Sequence, residues 1–153
     1  MREAIYLVLV DMVYAEVTRS QTPTSEKIRR WAQAGIASAD QSIKIFSTRV
    51  HAKYMQKLAL ADAPASQKNN LGEFAIQEAM SDCALIEPAK PSVFLFEDHK
   101  IARASFLLPS NAKKVNTRAF LQFLEARGQI ESAATMERNA TAAGRAFSQT
   151  RFP

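Results

Sequence analysis

The chain has 153 residues, 20 Lys+Arg against 15 Asp+Glu, and a formal net charge of +5. Its hydrophobic fraction of 47% is that of an ordinary folded domain and excludes a disordered polar tail. A single cysteine, Cys83, excludes an internal disulfide framework and points to a reducing compartment, the cytoplasm. Two distant histidines, His51 and His99, make a structural zinc site a poor fit. No segment approaches the ~20 apolar residues of a membrane helix, so no membrane partner is expected.

The first expected element is a strand. Ile5–Val10 is a short continuous apolar run with branched residues, ending at Asp11, and reads as fully buried. Met12–Thr18 reads as one or two helical turns. Pro23 marks a loop, after which Thr24 or Ser25 caps a helix that reaches Ala34 and stops at Gly35. Ile43–Phe46 is a second strand. Arg49–Leu60 reads as a helix with Tyr54, Met55 and Leu58 inward. The stretch 61–70 is small, polar and holds Pro64, the composition of a loop or lid.

Leu71-Gly72-Glu73 opens the next helix, carrying Phe74, Ile76 and Met80. Cys83 within it reads as a small buried hydrophobe. Pro88 and Pro91 bracket a turn before a third strand, Val93–Phe96, which runs into Glu97-Asp98. Ile101–Phe106 reads as helical. Lys113–Asn116 is the last strand. Thr117 is expected to cap a helix stopped by Gly128, and Ser132 to start a final helix reaching Phe147. Strands alternating with helices predict a parallel sheet with helices on both faces, in one domain spanning 1–153.

In such a sheet, ligands bind outside the carboxyl ends of the strands. Asp11 and the pair Glu97-Asp98 follow strands directly, Glu16 lies about one turn past the first, and Glu73 opens a helix. An acid after a strand is commonly a helix cap. Several acids meeting at one sheet end, however, repel one another unless a cation sits among them. Oxygen ligands of this kind suit Mg²⁺ or Mn²⁺. Lys113, Lys114 and Arg118 are candidates for RNA phosphate contacts. Tyr14 and Trp31 read as core aromatics, with base stacking as the alternative.

The order of these motifs resembles PIN-domain nucleases. Residues 10–19 (VDMVYAEVTR) are similar to the family's second motif, a strand leading into a helix that bears a metal-site glutamate. Leu71-Gly72-Glu73-Phe74-Ala75-Ile76 is similar to the Gly-Glu-x-x-Ala-Ile helix start of a toxin-like subgroup. Residues 93–103 (VFLFEDHKIAR) resemble its strand, paired acids and Ala-Arg helix, and 117–147 its two closing helices. The resemblance implies an α/β three-layer PIN-like fold with a mostly parallel central sheet flanked by helices. It implies a metal-dependent ribonuclease, commonly the toxin of a toxin–antitoxin pair. Carried over by position, Glu16, Glu73 and Asp98 are the catalytic metal-site acids, with Glu97 beside them and Asp11 as a further ligand candidate. The implied partners are RNA and an antitoxin protein, with a homo-oligomer as a further possibility.

The sequence departs from that pattern at its start: the family's opening strand and its aspartate have no counterpart before the matched second motif. Taking Asp11 as that aspartate fails, because the second acid would then belong in the helix 49–60, which holds none. Three alternatives follow: a shortened member, a strand supplied by a partner, or a degenerate site. The first two keep a nuclease; the third predicts a partner-binding module on the same fold. Ile5–Val10 is expected to be paired in the sheet, since an unpaired apolar strand would expose its backbone groups. On its inner side, direct closure on Val93–Phe96 or a strand lent by a second copy is expected in preference to a gap.

Overall fold

The computed structural model describes residues 7–60, 70–96 and 108–145. Among these the chain is mixed α/β, with four strands and six helices. It divides into two compact units, 1–82 and 83–153, with the boundary inside one helix.

The first unit begins with β1 (Leu7–Val10), which pairs in parallel with β2 (Ile43–Phe46), in the register Leu7 to Ile43 through Val10 to Phe46. The expected Ile5 and Tyr6 lie outside the described residues. The strand is not fully buried: Val10 is, whereas Val8, two residues earlier on the same side of the pleat, is 38% exposed. Cover on that side is therefore confined to the carboxyl end of the strand, while Leu7 and Leu9 on the other side are half-buried. The crossover contains α1 (Asp11–Thr18) and α2 (Pro23–Ala37).

Helix α2 differs from expectation at both ends. Thr22 is the cap, its Oγ1 accepting the Ser25 N–H at 3.1 Å, with Pro23 in the first turn where its missing N–H costs nothing. Gly35 does not stop the helix. A Cβ there would collide with Ile43, so the glycine lets β2 approach the helix closely. The inward face of α2 is Ser25, Ile28, Ala32 and Gly35, at helical spacing. Trp31 falls off that face and is exposed, contrary to a core role.

Helix α3 (Arg49–Leu60) has the expected bounds. Tyr54 packs against the core, but Met55, one position round the helix, is exposed. Helix α4 (Leu71–Ile86) begins after Asn70, which holds φ +54°, a left-handed conformation that asparagine tolerates. Residues 61–69 lie outside the described residues. The α4 face that turns inward is Gly72, Ala75 and Ala79, all buried, while Phe74 is exposed. The core of this unit gathers Val10 and Met12 against Ala75 and Ala79, with Phe46, Val50 and Ile76 around them.

In the second unit β3 (Ser92–Phe96) pairs in parallel with β4 (Ala112–Asn116). Phe94 and Phe96 share its buried side, their ring centroids 6.3 Å apart, and Val93 faces outward. Cys83 is half-buried. The expected helix 101–106 lies outside the described residues. Helix α5 (Thr117–Ala126) is capped by Asn116, whose Oδ1 accepts the Ala119 N–H at 2.7 Å, and not by Thr117. A side chain reaches the N–H three positions on, so the cap falls on the strand's last residue. Gly128 ends α5 at φ +66°, with Gly128 N–H to Glu125 and Gln129 N–H to Leu124, the Schellman arrangement. Ser132 caps α6 (Ala133–Ala142) as expected. This helix ends before Phe147, at Gly144 with φ +81°.

The described ladders are therefore two parallel pairs, β1–β2 and β3–β4, where one continuous central sheet is the expectation. The lysines fall on β2 and β4, while β1 and β3 carry none.

Candidate functional site

Helix α1 follows β1 without a loop, so Asp11 stands at the strand's carboxyl end and Glu16 about a turn and a half further on. Glu73 lies in the first turn of α4, next to the buried Gly72. The packing of Met12 on Ala75 and Ala79 brings α1 against α4. As a result Glu16 Oε2 lies 3.2 Å from where a Gly72 Cβ would stand, so the missing side chain is the space its carboxylate occupies. Glu16 and Glu73 are thus brought together from distant parts of the sequence.

The Glu16 carboxyl is pushed above its ordinary range, first by loss of water on that side. Arg19 opposes the shift, and the like charge of Glu73 adds to it. The residue as a whole is exposed, so the shift is local to the carboxylate end. Neither Glu16 nor Glu73 takes a side-chain hydrogen bond or ion pair among the described residues.

Asp11 is differently placed. Its Oδ1 accepts the Met12 N–H and the Thr48 hydroxyl, each at 2.7 Å. Its Oδ2 accepts the Thr48 N–H at 2.8 Å and stands 3.2 Å from His51 Nδ1. Thr48, 5% exposed, in turn caps α3 by accepting the His51 N–H at 3.2 Å. A second carboxylate meets the same helix end. Glu78 accepts the Arg49 N–H at 2.8 Å and Nε at 2.6 Å on Oε1, and the Val50 N–H at 3.1 Å on Oε2. Burial works to raise the Glu78 pKa, but the hydrogen bonds from Arg49 and Val50 and the Arg49 charge win and hold it below its ordinary value. Arg49 also lies 3.6 Å from Asp82.

Glu78 escaped the sequence reading because it belongs to no motif. A signal was nevertheless present. The first turn of α3 is Arg49-Val50-His51, with no acid to complement its bare N–H groups. Such an end takes its negative charge from elsewhere in the fold, here from Asp11 through Thr48 and from Glu78 directly.

Asp98 and Glu97 lie outside the described residues. Among the described residues no group of three or more His, Cys, Asp or Glu side chains is arranged to hold a metal ion. Of the basic candidates, Lys113 and Lys114 are successive strand residues, so they project to opposite faces of β4, Lys113 exposed and Lys114 half-buried. Arg118 is engaged within the fold: its Nε meets Glu137 Oε2 at 3.0 Å and its second nitrogen also contacts Glu137, tying α5 to α6. That bonding, ahead of the charge itself, holds Glu137 below the usual carboxylate range.

No protein-family model, curated protein or solved structure matches the chain. No described helix is long and apolar enough to cross a membrane.

Proposed function

We propose that the protein is a metal-dependent ribonuclease of the kind that the PIN-domain resemblance implies, acting in the cytoplasm as the toxin partner of an antitoxin protein. The observation that carries the reading is the placement of the Glu16 carboxylate against Gly72, within reach of the like charge of Glu73, with its pKa shifted upward and no hydrogen-bond donor among the described residues. Carboxylates that fasten one element of a fold to another do so through donors on that element, as Asp11 and Glu78 do. Two acids without such donors among the described residues leave their oxygens available to a divalent cation, and the all-oxygen donor set suits Mg²⁺ or Mn²⁺. Glu16 and Glu73 would hold the ion, with Asp98 and Glu97 completing the set in the order of the motifs. Bound there, the ion would supply an acidified water and neutralise charge on a phosphodiester. The chain's own contribution is to seat the Glu16 carboxylate against Gly72, one residue from Glu73. Lys113 is the exposed basic residue of β4 from which an RNA phosphate contact would come.

The decisive experiment combines calorimetric titration with Mn²⁺ and a cleavage assay on single-stranded RNA. The reading expects Mn²⁺ binding and Mn²⁺-dependent cleavage, both lost in Glu16→Gln. Asp98→Asn should abolish cleavage with an unchanged or raised thermal midpoint, since it removes one charge from a repulsive group. Mn²⁺ binding that is untouched by Glu16→Gln would contradict the reading.

A second reading, a partner-binding module on the same fold, is favoured by one observation: Asp11, a candidate ligand, has both oxygens engaged by α1 and α3. It expects a folded protein with no Mn²⁺ heat and no RNA cleavage.

A further inference from the structure

We propose that Asp11 and Glu78 are positioning residues, fastening the two helices that carry Glu16 and Glu73 to one anchor, the first turn of α3. The functional consequence rests on the metal reading above; the geometry does not. Asp11 lies on α1 five residues before Glu16, and Glu78 lies on α4 five residues after Glu73. Both carboxylates end on four consecutive residues, Thr48–His51. Asp11 takes Thr48 N–H and Oγ1–H at 2.8 and 2.7 Å, and Glu78 takes Arg49 and Val50 N–H at 2.8 and 3.1 Å.

Apolar packing alone would not fix this geometry. The α4 face under Met12 is Gly72, Ala75 and Ala79, a smooth surface that permits close approach but gives little resistance to sliding. Hydrophobic contact is non-directional. Hydrogen bonds to ionised carboxylates are directional and strong, and here they run from both helices to one rigid turn. Thr48 closes the arrangement by accepting the His51 N–H while donating to Asp11, so the anchor is itself ordered. A slip of α1 along α4 by about 1 Å would carry Glu16 away from the gap at Gly72, a displacement large enough to spoil a site.

The test uses the full chain without metal, then with Mn²⁺. In the parent, Glu16 Hγ should give a nuclear Overhauser effect to the Gly72 α protons, since Glu16 Cδ lies 3.8 Å from the position of a Gly72 Cβ. In the Asp11→Asn/Glu78→Gln double variant that cross-peak should be lost, while the sequential amide contacts within α1 and α4 remain. Mn²⁺ affinity should fall about tenfold or more, the usual range for residues that orient ligands. Single Glu78→Gln, which retains an acceptor oxygen, should fall between and serves if the double variant does not fold. Ile43→Val, a core change with its own loss of thermal midpoint, should keep both the cross-peak and the affinity. Retention of the cross-peak in the variants, or an equal loss of affinity in Ile43→Val, would overturn the proposal. A parent that binds no Mn²⁺ but shows the cross-peak, lost in the variants, would overturn the metal reading and leave the anchoring intact.

Discussion

Helices α1 and α4 each carry a pair of acids, five residues apart, with opposite circumstances. Asp11 and Glu78 are saturated with N–H and O–H donors at the start of α3. Glu16 lies against Gly72, next to Glu73 in sequence, and neither glutamate takes a side-chain hydrogen bond among the described residues. All four are carboxylates and the sequence distances are short, so chemistry is not decided by the type of group. It is decided by whether a bare helix N-terminus stands opposite. Donors favour the charged form and hold Glu78 low. Lost hydration and a neighbouring charge disfavour it and lift Glu16. The first pair stabilises the fold; the second makes it less stable above the Glu16 pKa and leaves charge for something else to satisfy.

Removing the saturated acids should have the largest effects. Asp11→Ala leaves the buried Thr48 N–H and hydroxyl without their acceptor, an expected loss of about 3 kcal/mol at roughly 1–3 kcal/mol per orphaned group, read by urea denaturation. Glu78→Ala should cost about 2 kcal/mol, less than Asp11→Ala because Arg49 is largely exposed and its ion pair is screened. Because the folded pKa of Glu78 is lowered from 4.5, its contribution is present above that value and fades as pH falls below it. Glu78→Ala should therefore flatten the acid limb of the stability profile, measured by denaturation from pH 6 to 3.

Changes at the second pair should be smaller in stability. Gly72→Ala puts a Cβ 3.2 Å from Glu16 Oε2, so the carboxylate must move. A better helix former offsets this by up to ~1 kcal/mol, and the net change in thermal midpoint should be slight while Mn²⁺ affinity falls. Glu16→Gln should leave the midpoint at pH 7 unchanged or raised. A folded pKa above 4.5 means that proton loss on raising the pH costs stability, and the variant removes that cost. A clear drop in midpoint for Glu16→Gln would make Glu16 a structural acid like Glu78.

The sequence showed the elements better than it showed their joins. Arg49–Leu60 was legible from its spacing and its flanks, and Gly128 from its place after an amphipathic run. Gly35 looked like a stop because composition does not reveal that Ile43 packs into it. Thr117 and Asn116 are both good caps, and only the strand's end decides between them. Glu16 and Glu73 were singled out by their places after a strand and at a helix start, and by the family resemblance, whereas Glu78 could have been reached only from a question about where the first N–H groups of α3 find acceptors. The continuous sheet was an extrapolation from strand–helix alternation, which orders elements but does not set how many ladders they form.

The most direct test of the contrast is a carboxyl ¹³C NMR titration of the metal-free protein, resolving Glu16 and Glu78 together. The structure predicts that Glu16 titrates above 4.5 and Glu78 below it. Glu16 titrating at or below Glu78 would contradict the division of these helices into acids that are held by donors and acids that are not.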